Sequence, residues 1–132
     1  MPAPTVLVVD DEEYILRILG FALRAEGWDV ITASDGARAV QQVSVKRPDI
    51  IVLDLMMPVM DGYQVLQRLK GEPGSRDIPV IVLTAKGRDA DREAALEAGA
   101  DLYMTKPFSP QRLVERVQEM LTASPEPPAR GS

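Results

Sequence analysis

The sequence predicts a doubly wound α/β fold, a five-stranded parallel sheet with helices on both faces, in a single domain. Three observations predict it. Short apolar runs rich in β-branched residues recur along the chain, as strands buried on both faces require. Between them, apolar residues repeat at helical spacing. The two patterns alternate as strand then helix five times, which implies parallel strands joined by helical crossovers. A chain of 132 residues holds one such core and not two.

Residues 6–9 read as the first strand. Ile15, Ile18, Leu19, Ala22 and Leu23 form the stripe of the first helix, which Gly27 is placed to end. Residues 28–33 are more mixed, as edge strands often are. Asp35-Gly36 then sets a capping residue before a helix with a weaker stripe, Ala37, Val40, Val43 and Ser44. Residues 50–53 form the third strand. Asp61-Gly62 opens a helix carrying Val65, Leu66 and Leu69. Residues 80–83 form the fourth strand. The helix over 89–98 is rich in Ala, its apolar face is shallow, and Gly99 follows it. Residues 102–104 form a second edge-like strand. Ser109-Pro110 supplies a cap and a first-position Pro for a last helix bearing Leu113, Val114, Val117, Met120 and Leu121. The division is thus an extension at 1–4, a domain over 5–121, and a Pro-rich stretch at 122–132 read as a flexible tail or linker.

Composition excludes several chemistries. With no Cys there is no disulfide, thiolate nucleophile or thiolate metal site, and with no His imidazole cannot act as base, ligand or phosphate carrier. A net charge of −5 disfavours direct binding to nucleic acid or an anionic membrane. No apolar run reaches the length of a membrane span, and Met1-Pro2-Ala3-Pro4 lacks the pattern of a signal peptide; a cytoplasmic location is the expectation.

One junction stands out. The apolar run 6–9 meets four consecutive acids, Asp10 to Glu13. Carboxylates beside a core repel one another and lose hydration, so something must compensate. In an open parallel sheet, functional groups gather beyond the carboxyl ends of the strands. Those exits carry Asp10 and Asp11, then Asp54, Thr84, and Lys106-Pro107. A hard divalent cation and a lysine would neutralise the acids, and Mg²⁺ suits an all-oxygen site that keeps several waters. The chemistry that fits is phosphoryl transfer onto a carboxylate.

The segments VVDDEE, VLDLMMPVMDG, VLTA and TKPF resemble the signature segments of the response-regulator receiver domain, in the same order and over almost the whole chain. The resemblance implies the flavodoxin-like (βα)5 fold, with Asp54 as phosphoacceptor. It implies Mg²⁺ at Asp10 and Asp11, Asp11 directly, with Asp54 and the backbone carbonyl of Met56. Thr84 and Lys106 would contact the phosphoryl group, and the Lys106–Pro107 peptide would be cis. Tyr103 matches the switch aromatic, and the small Ala85 would leave the pocket open. Met56 and Lys86 occupy the positions that tune the lifetime of the phosphoryl group; neither is an amide or acid able to hold a hydrolytic water, so slow decay is expected. The donor would be a histidine kinase or phosphotransfer protein, and the output a protein bound through the face of the fourth helix, fifth strand and fifth helix. A conventional enzyme is not expected, only a domain that catalyses its own phosphorylation and dephosphorylation. The alternative is a receiver from a longer regulator with a C-terminal effector. Winged-helix regulators dimerise through that same face by salt bridges. Arg92 and Arg116 match the basic positions, but Arg112 and Leu102 stand where acids are needed, so a mainly monomeric protein is expected.

Singly, each residue has a plainer reading: Asp11 to Glu13 as helix-dipole acids, Asp54 as a loop acid, Lys106 as a solvated charge, Tyr103 as an edge-strand aromatic. Their joint placement at strand exits favours the site. A haloacid-dehalogenase-type phosphatase would want Asp-x-Asp after a strand, where this chain has Asp54-Leu55-Met56 and Asp10-Asp11-Glu12. A flavin carrier would want a Ser/Thr/Gly-rich first loop, and the acidic loop here would repel a flavin phosphate.

Overall fold

A computed structural model describes residues 3–57, 61–85, 89–106 and 109–122. The elements follow in strict alternation: β1 Thr5–Val9, α1 Glu13–Arg24, β2 Asp29–Ala33, α2 Gly36–Val45, β3 Ile50–Asp54, α3 Gly62–Lys70, β4 Val80–Ala85, α4 Asp89–Glu97, β5 Leu102–Lys106 and α5 Pro110–Thr122. All pairings are parallel, in the order β2-β1-β3-β4-β5. This is the doubly wound sheet that the alternation predicts.

The apolar runs are unbroken because both faces of the sheet are covered. Leu7, Val9, Ile51, Leu53, Val80 and Val82 face one way, against Ala39 and Val43 of α2, Val65, Leu66 and Leu69 of α3, and Ala95 of α4. Val6, Val8, Ile50, Val52, Ile81 and Leu83 face the other, against Leu16, Leu19 and Leu23 of α1 and Leu113, Val114 and Val117 of α5. Successive side chains of a strand alternate between faces, so each run feeds two cores. The mixed strands β2 and β5 are the edges.

Two stripes differ from the sequence reading. In α1, Leu16 and Gly20 are buried while Ile15 and Ile18 are only partly covered. In α2 the buried residues are Gly36, Ala39 and Val43, whereas Ala37 and Ser44 are exposed. Small residues carry little hydropathy, so packing rather than the pattern decides which Ala faces the sheet. Three strands also run past their apolar residues: β3 to Asp54, β4 to Ala85 and β5 to Lys106. The parallel ladder continues through Thr84↔Thr105 and Ala85↔Lys106, so the polar residues are held on strand backbone rather than on loops.

The helix starts are built locally. Asp35 Oδ1 accepts from Arg38 N at 2.8 Å, and Asp61 and Gln64 form a reciprocal capping box at 3.0 and 3.1 Å. Ser109 Oγ accepts from Arg112 N at 3.2 Å. Gly27 (φ 88°) and Gly99 (φ 113°) end their helices in the left-handed region, where a side chain is strained.

Candidate functional site

The carboxyl edge of the sheet holds the acids. Asp10 follows β1 and is fully buried; its N–H donates to Ala33 O at 3.2 Å, so the backbone still follows β2. Its Oδ1 accepts from Glu12 N at 2.9 Å. The first helix needs no side-chain cap from Glu12, and Asp11, Glu12 and Glu13 are exposed. Of four sequential acids, only one enters the core.

Asp54 ends β3 and is 3% exposed. Its Oδ1 accepts from Met56 N at 3.1 Å. Lys106, at the end of β5, donates from Nζ to Asp10 Oδ2 at 3.1 Å and to Asp54 Oδ2 at 3.4 Å. These three residues come from three strand ends, which only the β1-β3-β4-β5 order brings together. Oxygens of Asp10, Asp11 and Asp54 all lie within 4.8 Å of one another. A hard divalent ion favours carboxylate oxygen, and this all-oxygen donor set fits one.

The electrostatics record incomplete compensation. Burial, and then the charge of Asp10, push the Asp54 carboxyl up to about 6, although the Met56 N–H and Lys106 pull the other way. Burial tends to lower the Lys106 ammonium, but Asp54 and Asp10 outweigh it and raise it. The lysine stays charged, and one cation serves two buried anions.

The other expected residues lie around this core. Thr84 is buried at the end of β4, with its hydroxyl toward Met104 O at 3.5 Å rather than on Asp54. Tyr103, on β5, accepts from Arg92 of α4 at 2.7 Å, and the guanidinium carbon lies 4.9 Å from its ring centroid. Met56 is half-exposed. Pro107, with the cis peptide expected there, and Lys86 fall outside the described residues, as does the side chain of Ala85.

The sequence reading missed Gly62 as a site residue, taking Asp61-Gly62 only as a cap. A Cβ there would lie 2.5 Å from Asp54 O and 2.5 Å from Leu55 Cα. The start of α3 therefore rests on the backbone of the Asp54 loop, and Gly62 N donates to Leu55 O at 3.1 Å. The Asp-Gly pair inside the Asp54 segment was the available signal. The Arg92–Tyr103 contact was also missed, since the two lie on different elements.

The class is set by the carboxylate cluster at the carboxyl edge of a doubly wound parallel sheet. The chain belongs to the response regulator receiver domain family, whose model matches residues 6–118. It is 46% identical over 119 residues to the alkaline phosphatase synthesis transcriptional regulatory protein PhoP of Bacillus subtilis, covering 90% of this chain and 49% of that protein. It is 44% identical over 119 residues to the phosphate regulon transcriptional regulatory protein PhoB of Escherichia coli, covering 90% and 52%. The chain thus spans about half the length of these curated relatives. Among solved structures it resembles the signal receiver domain of a signal transduction histidine kinase from Syntrophus aciditrophicus, with a TM-score of 0.87, 35% identity and 98% of both chains covered. It also resembles the receiver domain of the sensor histidine kinase PA1611 from Pseudomonas aeruginosa, solved with a magnesium ion coordinated in its active site cleft, with a TM-score of 0.82, 32% identity, and 92% of this chain and 99% of that one covered. Among the described residues no helix is long and apolar enough to cross a membrane.

Proposed function

We propose that Asp54 accepts a phosphoryl group, with Mg²⁺ held by Asp10, Asp11, Asp54 and the backbone carbonyl of Met56. The observation that carries this reading is Lys106 Nζ, 3.1 Å from Asp10 and 3.4 Å from Asp54, beside a third carboxylate. When bound, the ion supplies positive charge for the oxygens of the incoming group. By the motif match Asp11 is the more direct ligand of the acidic pair; its carboxylate is exposed, whereas Asp10 is fully buried and holds Lys106. A carboxylate oxygen of Asp54 forms the new bond to phosphorus as the bond to the donor breaks. Lys106 then exchanges its hold on Asp54 for a phosphoryl oxygen. Thr84 turns its hydroxyl from Met104 O to another, a charge-assisted bond in place of a long neutral one. That movement opens room for Tyr103 to turn inward, away from Arg92, and the face of α4, β5 and α5 changes shape for a protein partner.

The donor is a histidine kinase or phosphotransfer protein, which brings the His that this chain lacks. The domain is not a conventional enzyme, since it acts on its own carboxylate. Its length, about half that of relatives named as transcriptional regulators, favours a second reading in which it controls an effector within a longer protein. Contact with nucleic acid would then belong to the effector, not to this acidic domain. Incubation with acetyl phosphate and Mg²⁺ should add one phosphate by mass spectrometry, and Asp54→Asn should add none. Full labelling of that variant would overturn the assignment.

A further inference from the structure

Tyr14 and Phe21 are the only exposed aromatics among the described residues, at 72% and 77%. They stand seven residues apart on α1, two turns and about 10 Å along one face. Ile18, half-covered, lies between them, and together with Arg17 these side chains line a shallow depression. The sheet takes the other side of the helix, Leu16, Leu19, Gly20 and Leu23.

We propose that this face is the docking site of the chain's own Pro-rich segment, Pro125 to Arg130, which follows α5 and lies outside the described residues. α1 and α5 pack side by side on one face of the sheet. Each starts four residues after the end of its strand, and they are 12 and 13 residues long, so they end level at the amino edge. Three residues lead from Thr122 to Pro125, a reach of about 10 Å. That matches the roughly 8–10 Å between the axes of packed helices.

Spacing and charge agree on one register. Pro-rich segments favour the extended polyproline form, with about three residues per turn, and pack on aromatic-lined grooves. Pro125 and Pro128 then fall one turn and about 9 Å apart on the same side. That is close to the spacing of Phe21 and Tyr14. Coming from the amino edge, the segment meets Phe21 first and Tyr14 second. Glu126 then lies beside Arg17, and Arg130 runs on to Glu12 and Glu13. Arg17 and Glu13 pair with each other at 3.3 Å on open surface, which is worth little and leaves both charges available. The docked segment covers the flank of α1 beside the acids and excludes other proteins from it.

The test uses the full 132-residue chain. Pro125→Ser with Pro128→Ser should move the amide NMR signals of Tyr14, Arg17, Ile18 and Phe21 and leave those of α2 and α3 in place. Tyr14→Ser with Phe21→Ser alters exposed positions alone, and circular dichroism should show the fold intact. In that variant trypsin should cut after Arg130 about fivefold faster than in the parent, as a segment docked roughly four-fifths of the time requires. Equal cleavage rates overturn the inference. Unmoved α1 signals in the proline variant also overturn it and leave the face to a separate partner protein. Signals of Tyr14 and Phe21 that move with protein concentration would assign the face to a second copy and overturn it as well.

Discussion

Asp54 is costly where it stands. Its carboxyl is raised from 3.8 to about 6, so the folded protein binds that proton more tightly than the unfolded chain does. The associated stability is fully present below 3.8 and is lost as pH rises through about 6. At pH 7 without metal, the ionised group therefore destabilises the fold by up to about 3 kcal/mol. Asp54→Asn removes that cost. In the absence of divalent ions it should melt higher than the parent at pH 7 and close to it at pH 4, in thermal unfolding followed by circular dichroism. An equal gain at both pH values would show that ionisation is not the cause. At this scale much of the site was legible, because Asp10, Asp54, Thr84 and Lys106 all lie where apolar runs stop. The order within the acid block was not. Asp10 differs from Asp11 only because its N–H still reaches Ala33 on β2, and no local pattern encodes that partner.

Elements were legible in proportion to their apolar content. β1, β3 and β4 announce themselves because both faces are buried, and α3 and α5 because large side chains mark the packed face. The α2 stripe was misplaced because Ala37 and Ala39 look alike until the sheet is present. The shallow face seen in the sequence of α4 is real, with Ala95 buried and Leu96 42% exposed. Arg92 adds a second tie to the sheet, through its bond and ring contact with Tyr103. That tie is imperfect, since Arg92 Nε is buried and finds no acceptor among the described residues. An element whose described packing is a shallow apolar face and one such tie shifts at low cost. Arg92→Ala should speed amide hydrogen exchange along α4 while leaving β1 and β3 unchanged. A double-mutant cycle of Arg92→Ala with Tyr103→Leu, which removes both the hydroxyl and the ring, should give a coupling of about 1 kcal/mol, the usual worth of such a contact. Additive effects would mean that the pair carries no tie between α4 and β5.

For the whole molecule, the question is whether activation assembles two copies. The parallel alternation, the two edge strands and the charge balance were readable from the chain; surface pairing was not, because it depends on which side chains are already occupied. In winged-helix regulators the α4-β5-α5 face dimerises through salt bridges. Here Arg116 is already bonded to Glu119 of its own helix at 2.9 Å, and Arg92 to Tyr103 at 2.7 Å. If Tyr103 turns inward on activation, Arg92 is released, but the opposing position in such a dimer is Arg112, a like charge. Arg116 would face Leu102, which offers no carboxylate to replace Glu119. Each site thus loses an internal contact and gains repulsion or nothing, and like charges set against each other disfavour association. Light scattering of the domain activated with beryllofluoride and Mg²⁺ should therefore give a mass near 14.5 kDa. Arg112→Glu should shift the balance toward a dimer by restoring the carboxylate that Arg92 lacks. A stable dimer of the unmodified domain, disrupted by Arg92→Ala, would show that the face pairs by contacts other than these charges.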